Sequence, residues 1–66
     1  MDRDKAEKIV AENEDYELRE GYSGRFMYGA ETTAVIVPTR DDVGYVKKKY
    51  GGYLSSDNMA LDYIVY

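Results

Sequence analysis

The run Thr32 to Val37, TTAVIV, is β-branched or apolar at every position. A strand that alternates apolar and polar residues needs cover on one face. A run apolar on both faces needs cover on both. TTAVIV therefore predicts a central strand, with the rest of the chain arranged around it. Pro38 follows directly and ends it, because proline cannot donate to a strand ladder. This demand falls on a chain of 66 residues, which is room for one domain and one small core. A chain of that size hides only about 60% of the surface its unfolded form exposes. It has no cysteine and no histidine, so disulfides and thiolate or imidazole metal sites are excluded. Carboxylates could still hold a hard cation, but no D-x-D-x-D-G loop is present, and neither a metal nor a cofactor is expected. Self-association is the remaining source of extra support.

The flanking segments read as follows. Residues 2–13 have the period of a helix, with Ala6, Ile9, Val10 and Asn13 on one face. Asp2 is placed to cap it, and Asp4 and Glu7 suit the positive end of its dipole. Its apolar stripe is thin. Residues 15–22 alternate, with Tyr16, Leu18 and Tyr22 on one face and Glu17 and Arg19 on the other, the pattern of a half-buried strand. Glycines at 24 and 29 then point to a loop. A second helix begins at Thr39, where Thr39-x-x-Asp42 resembles a capping box. Val43, Val46 and Tyr50 form its stripe. Lys47, Lys48 and Lys49 suit its last turn, and Gly51 suits the residue after it. Gly44 inside that helix costs about 1 kcal/mol against alanine, which implies a short helix or a close backbone neighbour. After a turn region, 51–58, residues 59–66 read as a final strand. The predicted architecture is one α+β domain, 1–66, with a small three-stranded sheet and two helices in the order α-β-β-α-β. Exposed edges on so small a sheet invite a second copy, so a homo-oligomer is expected.

Charge and tyrosine content bound the function. The net charge is −4, and all of it lies in residues 1–20, where eight acidic residues face four basic ones; residues 21–66 balance. Such a front half argues against direct nucleic acid binding, which depends on neutralising phosphates. It suits either a solvated face or attraction to a basic partner. Tyrosine occurs eight times. Its flat apolar body and polar tip favour binding surfaces, although some of the eight must fill the core. No apolar run approaches the ~20 residues of a membrane span, and the acidic start is unlike a signal peptide. The chain reads as soluble and cytoplasmic.

The segment YSGRFMYGAETT, 22–33, is the sequence's candidate site. Glycines free the backbone to turn and expose N–H groups, which can cradle an anion. Ser23 adds a hydroxyl donor, and Arg25 adds a planar fork for phosphate or carboxylate. Tyr22, Phe26 and Tyr28 offer ring faces on which a nucleobase can stack. Tyr22, Ser23, Gly24, Arg25 and Tyr28 together suit a small phosphate-bearing, nucleotide-like ligand. The spacing matches neither a P-loop nor a dinucleotide fingerprint. The alternative is a plain turn, its glycines serving backbone geometry and Arg25 paired with Glu31.

YSGRFMYG, together with the C-terminal SSDNMALDYIVY, resembles a group of very small phage and prophage proteins. These carry a Tyr-Ser-Gly-Arg-x-Met-Tyr-Gly segment and a C-terminal segment in which Met precedes Ile-Val-Tyr. The resemblance covers roughly residues 16–33 and 56–66. Phe26 stands where a glycine is usual in that group. The resemblance implies a phage-type accessory protein acting against host defences, by sequestering a signal or by blocking a host protein. It assigns no functional residue.

Catalysis is not expected. The usual general base and thiol nucleophile are missing, and no serine has an evident activator. Two binding functions remain. In the first, which the sequence favours because only this segment combines anion donors with ring faces, an oligomer binds a nucleotide-like ligand at a subunit boundary through the 22–28 segment. In the second, an acidic, tyrosine-rich surface including Glu12, Glu14, Asp15, Glu17 and Glu20 blocks a host protein.

Overall fold

The computed structural model describes residues 1–23, 29–51 and 63–66, and the backbone of 55–57. The elements are α1 (Arg3–Glu12), β1 (Glu17–Tyr22), β2 (Thr32–Val37), α2 (Arg40–Tyr50), β3 (Ser55–Asp57) and β4 (Tyr63–Val65). The fold is α+β, and its principal elements follow the order α-β-β-α-β. The three strands read from the sequence are β1, β2 and β4. The short β3 adds a fourth at the edge, so the sheet runs β1-β2-β4-β3 with every pair antiparallel.

Both helices are bounded by local chemistry. Asp2 caps α1 by accepting the Lys5 N–H at 2.8 Å. No cation sits in the last turn of α1. Instead the Asn13 side chain donates to the Ile9 carbonyl at 2.8 Å, satisfying one of the carbonyls a helix end leaves open. Thr39 caps α2, accepting the Asp42 N–H at 3.2 Å. Gly51 closes α2 with a φ of 75°, and its N–H donates to the Lys47 carbonyl at 3.0 Å. Only glycine enters that region without a Cβ penalty. α2 continues through Gly44, where an added Cβ would meet nothing within 4 Å. Neither expectation for this glycine holds: the helix runs from Arg40 to Tyr50, and among the described residues no backbone passes close by.

The central-strand reading of TTAVIV is matched by the packing. Val35 and Val37 face the helices and, with Val65, meet Ala6 and Ile9 of α1 and Val46 of α2. Ala34 faces the other way and packs with Ile64 and Tyr66, and Ile36 borders them. Tyr16 belongs to the helix-side core, and Leu18 packs against it.

Tyr22 departs from the sequence reading. It packs against the opposite cluster rather than sharing a face with Tyr16 and Leu18. The register supplies the reason. Glu17, Leu18 and Arg19 pair with Ile36, Val35 and Ala34, but Tyr22 pairs with Thr32, one residue out of step. β1 contains a bulge, with Gly21 at a φ of 68°. One extra residue inverts the facing of everything after it.

Candidate functional site

The C-terminal end of α1 and the first turns of α2 meet beside the start of β1. The Tyr16 N–H donates to the Asn13 carbonyl at 3.0 Å, forming a tight turn that leaves Glu14 and Asp15 exposed at its tip. Tyr16 is buried at the end of this turn, and its hydroxyl donates to Asp42 Oδ1 at 2.8 Å. Asp42 Oδ2 accepts from the Thr39 hydroxyl at 2.6 Å. The two oxygens of one carboxylate thus tie α2's cap to the α1–β1 turn. The Asp42 carboxylate also accepts from the Thr39 backbone N–H while Thr39 Oγ1 accepts the Asp42 N–H, so the expected capping box is formed, with the hydroxyl-to-carboxylate bond added to it.

A second tyrosine makes a parallel tie. The Tyr50 hydroxyl donates to Glu12 Oε1 at 2.7 Å and accepts from Asn13 Nδ2 at 3.2 Å. Tyr45 lies one helical turn away on α2. It meets Tyr50 edge to face, with ring centroids 6.5 Å apart and planes at 87°. Lys49 Nζ donates to the Tyr45 hydroxyl at 3.0 Å and sits 5.5 Å and 5.3 Å from the Tyr45 and Tyr50 ring centres. Held in this way, Tyr45 remains 43% exposed, and among the described residues it is the large apolar side chain that stands out into solvent.

Asn13, Glu14, Asp15, Tyr16, Asp42 and Tyr45 line a cleft of about 310 Å³. Hydrogen bonds from Thr39 and then from Tyr16 hold the Asp42 carboxyl below its ordinary value. Burial, and then the bond to Asp42, pushes the Tyr16 hydroxyl well above its ordinary value. Both stay in their hydrogen-bonding forms across the physiological range, Asp42 as an acceptor and Tyr16 as a donor. Among the described residues, the carboxylates of Glu14 and Asp15 have no hydrogen bond or ion pair. The cleft therefore offers free negative charge beside an exposed ring. Such a surface can hold an ammonium or guanidinium group by charge, with the apolar stem behind it lying against the exposed part of the Tyr45 ring.

The sequence-derived site is covered only in part. Tyr22 is half-buried, with its ring 4.8 Å from that of Tyr66 and inclined at 52°. Ser23 is exposed. Gly24, Arg25 and Tyr28 lie outside the described residues, as does Phe26. The expected acidic patch is corrected. Glu12, Glu14, Asp15, Glu17 and Glu20 are all exposed, but they do not form one surface. Glu20 is ion-paired with Arg3, which also holds Glu7 at 2.7 Å. Glu12 accepts from Tyr50. Glu17 pairs with Ile36, on the sheet face away from the helices. Glu14 and Asp15 remain, joined by Asp42 from α2, a residue the sequence marked only as part of a cap. Among the described residues there is no cluster of three or more potential metal ligands, and no helix is long and apolar enough to cross a membrane. Compared with protein families, curated proteins and solved structures, the chain has no match.

Proposed function

We propose that this chain is a non-catalytic binding protein whose acidic cleft takes a basic segment of a partner protein. The observation that carries the reading is the pairing of two unengaged carboxylates, Glu14 and Asp15, with the exposed ring of Tyr45 around one cleft. A lysine or arginine side chain combines the two properties this cleft rewards, a positive head and an apolar stem. In the phage setting implied by the sequence resemblance, the partner is a host protein and binding blocks it.

The test uses a short lysine- and arginine-rich peptide as probe. Titration into isotope-labelled protein should shift the amide signals of residues 13–16 and 42–45. Binding should weaken steeply between low and physiological salt, since exposed charges are screened. Glu14→Lys with Asp15→Lys should abolish it while the fold is retained. Equal binding by the doubly substituted chain would remove the cleft from consideration.

A second reading keeps the nucleotide-like ligand at Tyr22, Ser23, Gly24, Arg25 and Tyr28. It is favoured by the backbone at either side of that segment. Gly21 and Gly29 have φ of 68° and 87°, so left-handed backbone flanks it on either side. Tyr22 already rests on a second ring, that of Tyr66, so the segment opens on an aromatic pair. Calorimetric titration of nucleotides and cyclic nucleotides separates the two readings. Heat on nucleotide addition that disappears in Arg25→Ala supports this one, and the acidic cleft should give none.

A further inference from the structure

β1 is an edge strand of the described sheet. Its straight part is short, running from Glu17 to the bulge at Gly21. Glu17, Arg19 and Glu20 are exposed, and Leu18 is half-exposed. An edge strand carries a row of backbone groups able to pair with another chain.

The charges along this edge discriminate between registers. Consider two copies related by a two-fold axis, with their β1 strands antiparallel and their helices on the same side. Centring the axis on Glu17 places Glu17 opposite its own copy. Centring it on Arg19 places two guanidinium groups opposite each other. Both are like-charge pairs, which destabilise a ladder. Centring it on Leu18 places each Glu17 opposite the other copy's Arg19, twice over, with Leu18 facing Leu18 between them. Glu17 and Arg19 pair with Ile36 and Ala34 in the register of β1 on β2, so both lie on the sheet face away from the helices. The cross-copy ion pairs would form there, clear of α1. Leu18, on the helix side, would gain apolar cover that it lacks in one copy. The bulge limits pairing to residues 16–20, so no other stretch of β1 competes.

From this pattern we propose that the chain forms a two-fold dimer by antiparallel pairing of β1 with β1, centred on Leu18. The two sheets become one continuous eight-stranded sheet. The dimer is self-complementary in the sense that a two-fold interface requires: one residue meets a different residue twice. Arg19 also interacts within its own chain, and the five N–H donors of a guanidinium serve more than one acceptor.

Charge reversal tests both the dimer and its register. Light scattering coupled to size exclusion, from micromolar to several hundred micromolar chain, should show the parent passing from monomer to dimer. Glu17→Arg alone and Arg19→Glu alone each create two like-charge pairs, and each should weaken dimerisation by at least about tenfold. The double variant Glu17→Arg with Arg19→Glu restores opposite charges and should dimerise like the parent. Mixing the two single variants should produce a heterodimer, visible by native mass spectrometry, because both facing charged pairs are then attractive. Circular dichroism confirms that each variant is folded. A parent that stays at 7.6 kDa throughout overturns the proposal. So do single reversals that dimerise as well as the parent, or a double variant that fails to recover.

Discussion

The hydroxyl of Tyr16 donates to the carboxylate of Asp42 across 26 positions of sequence, at 2.8 Å. This bond joins the turn after α1 to the first turn of α2 and holds the floor of the acidic cleft. Tyr16→Phe removes the donor and leaves the ring in the core. The freed carboxylate oxygen is not fully buried and can turn to water, so the loss should be about 1–2 kcal/mol, toward the low end for a hydrogen bond to a charged group. Chemical denaturation of Tyr16→Phe, Asp42→Asn and the pair measures it. The double variant should lose less than the two singles together, because they share one bond.

Acid should find the same bond. Asp42 has a folded-state pKa below its ordinary value of 3.8, chiefly through the Thr39 hydroxyl and then Tyr16. A depressed carboxylate contributes stability above its unfolded pKa and loses it as pH falls through the folded one. The parent should therefore outlast Asp42→Asn in thermal melts near pH 7. The gap between their melting temperatures should narrow below about pH 4. A gap that stays constant down to pH 2.5 would show that the carboxylate's charge plays no part.

Gly44 is exposed in the middle of α2, with open space where a Cβ would stand. Gly44→Ala should stabilise the chain by up to about 1 kcal/mol, through helix propensity alone. The check is an upward shift of the denaturation midpoint with an unchanged slope.

Gly21 responds in the opposite sense. Its φ of 68° disfavours any side chain, and Gly21→Ala should cost about 1–2 kcal/mol. Asparagine tolerates that region better, so Gly21→Asn should fall between the two. Equal stability of all three chains would mean that the bulge is not held at this residue.

These residues also mark what the sequence discloses. The ends of α2 were legible because capping depends on residues a few positions apart: Thr39 with Asp42, and Gly51 after three lysines. TTAVIV was legible as a central strand because six adjacent residues carry the signal. Tyr22 was assigned to the wrong face because alternation assumes an unbroken register, and Gly21 breaks it without altering the pattern of residue types. β3 was missed because Ser55–Asp57 is too short and polar to alternate. The cleft was not legible at all. Its walls come from residues 13–16 and 42–45, which no local period connects. Asp42 looked complete as a helix cap, although its second oxygen serves another element.

The bulge in β1 also separates what the molecule can do at one time. Without the extra residue, Tyr22 would stand on the same side of the sheet as Tyr16, Tyr45 and Tyr50. With it, the sheet stands between Tyr22 and the tyrosines of the cleft. A molecule resting on the Tyr22–Tyr66 pair does not touch one lodged beside Tyr45, so the two surfaces can be occupied together. A single glycine thereby decides on which side of the sheet the ring of Tyr22 lies.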